Sequence, residues 1–299
     1  MKDYIIRATA ANDSVRAFAI SGTNMVEEAR VMHETSPIVT AALGRMLMAG
    51  AMMGVTLKSE KDVMTLQIQG EGALKGITVT SYSDGFVKGF PNENIVILPP
   101  KNGKLDVGGA IYPGFLRVIK DMGLKEPYVG TVDLQTGEIA EDLTYYFAVS
   151  EQIPSSVGLG VLVNKDCTVN CAGGFIIQVM PMCPDNVLDK IEENLKSLPS
   201  VTDMMSEGAT PENMLERIFD GLDVDIKDKT ETGFRCDCSK SRVERSLASL
   251  NKQDKEEIIK EGKPVEVRCQ FCNKKYEFSI EDIKKLQRII FQKRKVVLQ

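Results

Sequence analysis

The sequence predicts an α+β protein in three parts: a mixed strand and helix domain over residues 1–180, a helical linker over 181–233 and a small C-terminal module over 234–299. Three observations carry that reading. Short runs of β-branched and aromatic residues alternate with helical patterns as far as Met180. From Pro181 the apolar residues recur at helical spacing only, with no strand partner of their own until about Val224. Beyond Phe234 the chain holds few apolar side chains but two close pairs of cysteines, the profile of a fold that needs a staple.

The elements follow in order. Tyr4–Ala8 and Val15–Ile20 read as strands joined through the turn cluster Asn12, Asp13 and Ser14. Met25–Glu34 reads as a helix, and Pro37 opens a second one with Ser36 as its N-cap. Val63–Gln69 alternates with the period of a half-buried strand. Ile77–Tyr82 and Phe86–Phe90 flank a hairpin turn at Ser83, Asp84 and Gly85. Short strands are expected at Val129–Leu134 and Glu138–Ile139, a helix at Glu141–Gln152, and strands again at Gly160–Val163 and Gly174–Met180.

In the linker, Val187, Leu188, Ile191, Leu195 and Leu198 mark a helix after Asp185 as its cap. Thr210, Pro211 and Glu212 start another, which carries Met214, Leu215, Ile218, Phe219 and Leu222 on one face. The C-terminal module reads as helices at Ser241–Leu250 and Asp254–Lys260, a stop at Gly262-Lys263-Pro264, and two short strands around Val265/Val267 and Tyr276/Phe278. A closing helix follows from Glu281 with Ile283, Leu286, Ile289 and Ile290.

Composition excludes several classes. The 299 residues are 43% hydrophobic and 26% charged, enough for a sizeable core and against disorder. A net charge of −5 argues against a general nucleic-acid binder. His33 is the single histidine, so no histidine cluster can build a metal site. Residues 1–7 lack the apolar run of a signal peptide, so a cytoplasmic, reducing location is expected, where cysteines serve as metal ligands or redox groups. The apolar stretch Ile38–Leu57 is broken by Arg45 and is too short beyond it for a bilayer core of roughly 30 Å, so no membrane partner is expected.

The chemistry concentrates in Cys236-Asp237-Cys238 and Cys269-Gln270-Phe271-Cys272. Two close pairs at the ends of a loop can bring four thiolates to the corners of a tetrahedron, the ligand set of zinc. Zinc holds thiols deprotonated, and an oxidant that reaches them can convert them to sulfenic acid and disulfide. Spacing alone does not separate a permanent structural zinc from a sacrificial one.

This pattern resembles the heat-shock protein 33 family of redox-regulated holdase chaperones. Tyr145-Tyr146-Phe147, Ser150-Glu151-Gln152-Ile153-Pro154 and the run from Ala172 to Pro181 resemble family segments as well. The resemblance implies that Cys236, Cys238, Cys269 and Cys272 bind Zn2+ when reduced, and that Cys236 pairs with Cys238 and Cys269 with Cys272 as disulfides when oxidised. It implies a cytoplasmic, ATP-independent holdase rather than an enzyme, a homodimer when activated. It would protect unfolded or oxidatively damaged client proteins and hand them to ATP-dependent foldase chaperones. Cys167, Cys171 and Cys183 lie outside the pattern.

Other candidates weigh less. His33 with Glu34 reads as a helix end rather than a general base, since no nucleophile motif surrounds it. Gly158-Leu159-Gly160 lacks a third glycine, and Asp223, Asp225 and Asp228 lack the rest of a calcium loop. Met46, Met48, Met52 and Met53 read as core, with a pliable client-binding face as the alternative. The basic residues Lys284, Lys285, Arg288, Lys293, Arg294 and Lys295 beside a zinc module support a rival, a nucleic-acid-binding protein of translation or transcription. A thiol oxidoreductase is a third reading, without the βαβ context it needs.

Overall fold

The computed structural model describes residues 2–285 and divides into two compact units, Met1–Arg235 and Cys236–Gln299. In the first unit β1 (Tyr4–Ala10), β2 (Val15–Ser21), α1 (Thr23–His33), α2 (Pro37–Gly54), β3 (Val63–Gly70), β4 (Gly76–Tyr82) and β5 (Phe86–Pro91) come first. There follow α3 (Val107–Ile111), β6 (Gly114–Asp121), β7 (Tyr128–Asp133), α4 (Ala140–Val149), β8 (Ser155–Val163) and β9 (Val169–Val179). The unit closes with α5 (Asp185–Ser197), α6 (Val201–Ser206), α7 (Pro211–Ile218), β10 (Val224–Glu231) and β11 (Gly233–Phe234). The second unit contains α8 (Lys240–Ser249), α9 (Lys252–Glu261), β12 (Val265–Arg268) and β13 (Lys275–Phe278).

Two sheets form the first unit. One is antiparallel throughout in the order β10-β1-β2-β9-β8. The other runs β11-β5-β4-β3-β6-β7, with β11 parallel to β5. Helix α2 lies against both: a Cβ on Gly44 would meet Val161 of β8 at 3.0 Å, and one on Gly50 would meet Val79 of β4 at 2.8 Å. The glycines set how near each sheet can come. A helix covered on both sides must be apolar all round, and Met46, Met48, Met52 and Met53 are accordingly buried core. This is the one described helix long and apolar enough to cross a membrane, and 89% of it is buried inside the unit.

The linker region packs on the opposite face of the five-stranded sheet. Ala8, Ala10, Ala17 and Ala19 line that face beside Tyr4, Ile6, Val15, Phe175 and Ile177. Small side chains leave room for helices, and Val187, Ile191, Val201, Met204, Met214, Leu215, Ile218 and Phe219 fill it. Helix α7 starts with a full capping box between Thr210 and Asn213. Polar contacts tie the layer down. Tyr4 donates to Glu212 Oε2 at 2.7 Å, and Lys229 of β10 reaches Glu212 Oε1 at 3.3 Å while lying over the Tyr4 ring. Buried Asn194 donates to the carbonyls of Ile218 and Asp220, both at 2.9 Å, joining α5 to the end of α7.

Several expectations need correction. Glu138–Ile139 is not a strand: Ile139 sits at φ 36° as the N-cap position of α4. Asp142 Oδ1 accepts from the amides of Gln135 and Thr136 and fixes that turn. Ser36 is the N-cap residue of α2 as expected, but its hydroxyl makes no bond to the helix amides; it donates to Val96 O at 2.8 Å and accepts from Val96 N at 3.0 Å. Pro184, not Asp185, occupies the N-cap position of α5. Helices α3 and α6 and strand β6 were not anticipated. Asp225 and Asp228 lie on strand β10, the solvated acidic strand the sequence suggests, which pairs with β1 and carries an Arg7–Asp228 ion pair at 2.5 Å. In the closing helix residues 280–285 are helical, and Leu286, Ile289, Ile290, Arg288 and Lys293–Lys295 fall outside the described residues.

Replacing Asn194 by Ala strands the buried Ile218 carbonyl, leaves the partly buried Asp220 carbonyl without this donor, and should destabilise the first unit by about 2 kcal/mol. The exposed Lys196–Glu192 pair should contribute under about 0.5 kcal/mol. Urea unfolding of Asn194→Ala and Lys196→Ala, followed by circular dichroism, checks the contrast.

Candidate metal centre

The second unit is built around a hairpin. Strands β12 and β13 pair antiparallel from Val265↔Phe278 to Arg268↔Lys275, and Cys269–Cys272 forms the turn between them. The turn is closed by Cys269 N donating to Lys274 O at 3.0 Å and Asn273 N donating to Cys269 O at 2.8 Å. Cys236 and Cys238 come from the segment before α8, whose N-cap Ser239 accepts from Arg242 N. Asp237, between them, pairs with Arg242. Among the described residues the buried core is Tyr276, Phe278 and Ile283, with Cys238, Val243, Leu247, Val265, Val267 and Cys269 packed partly against it. So small a core makes a cross-link valuable.

The four sulfurs converge. All Sγ atoms of Cys236, Cys238, Cys269 and Cys272 lie within 4.8 Å of one another. Cys238 and Cys272 are 3.3 Å apart, and Cys236 and Cys269 are 3.7 Å apart. A tetrahedron with metal–sulfur bonds of about 2.3 Å has edges of about 3.8 Å, so the cluster fits a four-thiolate cation site. The Cys238 amide faces the Cys236 sulfur and the Lys274 amide faces the Cys272 sulfur, both favouring thiolate. The Tyr276 hydroxyl donates to Cys238 Sγ at 3.0 Å.

Electrostatics agree with a site made for a cation. Burial is the largest influence on Cys236 and Cys272 and pushes both thiols up; the three neighbouring sulfurs add to it at Cys236, whereas at Cys272 those of Cys238 and Cys269 add to it and that of Cys236 opposes it. At Cys238 burial opposes ionisation, but the Tyr276 hydroxyl and the adjacent thiols outweigh it and lower the thiol. A dication makes four neighbouring thiolates tolerable.

The remaining candidates do not join this site. Cys167 lies in the turn after β8, Cys171 is buried with Sγ 3.7 Å from Thr202 O, and Cys183 lies 3.8 Å from Pro184 O. His33 is a core residue, its Nε2 3.0 Å from Gly89 O and its ring edge-on to Phe234. The sequence places Tyr276 on the strand after the Cys-x-x-Cys, but the contact across to Cys238 has no signal in it.

Comparison with known proteins is consistent along the whole chain. A family model described as Hsp33 protein matches residues 3–279. The 33 kDa chaperonin of Agathobacter rectalis is 57% identical over 288 residues, covering 96% of this chain and 100% of that protein. The 33 kDa chaperonin of Lachnoclostridium phytofermentans is 56% identical over 95% of this chain and 98% of its own. The crystal structure of the 33 kDa chaperonin (heat shock protein 33 homolog) from Thermotoga maritima superposes with a TM-score of 0.90 at 39% identity, covering 98% of this chain and 100% of that one.

Loss of the Tyr276 hydroxyl removes an orienting contact to one sulfur. Tyr276→Phe should weaken binding of an added divalent cation to the four-cysteine cluster about tenfold with the fold retained. Competition with a chromophoric chelator measures it.

Proposed function

The chain belongs to the Hsp33 family and has its chaperone role, with unfolded proteins as partners; on that premise we propose that it is an ATP-independent holdase switched on by oxidation. The observation that carries this reading is the convergence of Cys236, Cys238, Cys269 and Cys272 within 4.8 Å in a module with little other core. These four residues would hold Zn2+ in the reduced chain. The ion supplies a cross-link and keeps the sulfurs as thiolates.

The rest is chemistry of the chain. A thiolate attacks peroxide, breaks its O–O bond and becomes a sulfenic acid. A second thiol displaces water from that sulfur, so two thiols are oxidised to one disulfide as one peroxide is reduced to two waters. The pairs are Cys236–Cys238 and Cys269–Cys272. All four sulfurs are mutually near in the resting geometry, so proximity there does not choose the pairing. In a loosened module, short loops close most readily. Each sulfur so used is lost as a ligand, and the module loses binding energy on the order of 10–16 kcal/mol.

Residues 1–180 act as the chaperone core, 181–233 as the linker and 234–299 as the redox switch. The linker covers the alanine-lined face of the five-stranded sheet in the resting chain. Its short helices are marginal alone in water. Loss of the ordered module downstream lets them undock, exposing their apolar faces and the sheet beneath. The activated protein is a cytoplasmic homodimer that passes clients to ATP-dependent foldases, with no nucleic-acid or membrane partner.

Zinc release and suppression of client aggregation should rise together when peroxide is added with mild heat, and peptide mapping should find disulfides within each pair. Full activity with zinc retained, or mainly Cys238–Cys269 linkage, would sink the reading. Phe219 is buried in the linker layer; Phe219→Asp should suppress aggregation without oxidant. Hydrogen exchange over residues 185–222 should accelerate in both that variant and the oxidised protein.

A further inference from the structure

The outer edge of β5 is closed by three groups of different kinds. Gly85 O accepts from the Thr232 hydroxyl at 2.6 Å, Val87 O accepts from the Arg235 amide at 2.7 Å, and Gly89 O lies 3.0 Å from His33 Nε2. Two of the three come from residues 232–235, the stretch containing β11. Strand β11 has only two residues, paired in parallel as Gly233↔Phe86 and Phe234↔Val87. Phe234 is buried with its ring 6.4 Å from that of His33. Arg235 lies 4.3 Å over the Phe86 ring and pairs with Asp84 at 2.5 Å. Cys236 is the next residue.

A strand this short is the part of the sheet that opens at least cost. Its departure would uncover the carbonyls of Gly85 and Val87, empty the seat of Phe234 and leave Asp84 without Arg235. Unpaired edge groups template pairing with an extended chain, and adjacent pockets select its side chains. An unfolded protein offers both an extended backbone and exposed aromatic residues.

We propose that β11 is a built-in stand-in for client: it fills a strand-addition site on β5 that accepts an extended segment of an unfolded protein carrying an aromatic residue followed by a basic one. The occupant is inferred from the residues already seated there. The inference rests on the oxidative switch only for how β11 leaves, so the site can be tested without it.

The probe is a fluorescent peptide of residues 229–236 with Ser in place of Cys236. One control peptide is N-methylated at the amide matching Arg235, which cannot donate to Val87 O; a second has Ala in place of the Phe. Anisotropy is measured with the full chain: reduced wild type, reduced Phe234→Ala, reduced Arg235→Glu and oxidised wild type. Arg235→Glu sets like charge against Asp84 at the surface and tests the site should Phe234→Ala fold poorly. Both reduced variants and the oxidised protein should bind the probe about tenfold or more tightly than either control peptide, and reduced wild type should bind none. Equal binding of the probe and its N-methylated form overturns strand addition, as does no binding by folded variants. Binding by the variants but not by the oxidised protein upholds the site and refutes its opening by oxidation.

Discussion

One face of the five-stranded sheet cannot protect itself from water. Ala8, Ala10, Ala17 and Ala19 give it a shallow apolar surface that must be covered by something brought from elsewhere. The chain supplies that cover from residues more than 160 positions downstream, in helices with one apolar face each. Neither partner is complete alone. The small side chains that make room for the helices also make the sheet dependent on them, and the polar ties through Tyr4, Glu212, Lys229 and Asn194 fix the register of the cover. Regulation by undocking is available to such an arrangement because the cover is a separate layer, unlike α2, which is held from both sides.

The C-terminal unit inverts this logic. Among its described residues the buried core is three side chains, and the strongest convergence is of four groups that repel one another when ionised. A bound cation would turn that repulsion into cohesion. The amides facing Cys236 and Cys272 and the Tyr276 hydroxyl prepare the sulfurs for negative charge without themselves changing state. The cysteine cluster and the cover are thus built from opposite materials, one electrostatic and one apolar, within one continuous chain.

Much of this was legible because it is local. The hairpins of β1–β2 and β4–β5, the capped start of α7 and the two cysteine pairs all announce themselves within a few residues. What was missed depends on distance or brevity. Helices α3 and α6 are too short to display a period. Strand β6 buries Leu116 and Val118 but leaves Phe115 and Ile119 half-exposed on its other face, so its alternation is blurred. The boundary at Ile139 is set by Asp142 reaching back to two amides, and Ser36 by a partner sixty residues on. Alanine is silent in a sequence about what packs on it, so the docking face could be anticipated from the helices but not from the sheet.

The order in which the strands are laid down has its own consequence. β10 and β11, neighbours in sequence, each close an edge, one for each sheet of the first unit. On the ribosome, β1 and β5 therefore wait with open edges until residues 224–235 have emerged. Between Val87 and Arg235 that wait is on the order of 10 s at ordinary rates of synthesis. During it, His33 is already available to cover Gly89 O, whereas the carbonyls of Gly85 and Val87 have no cover yet. A chaperone of unfolded chains spends its own birth with two unsealed sheets, and its completion is a race between its last strands and its neighbours.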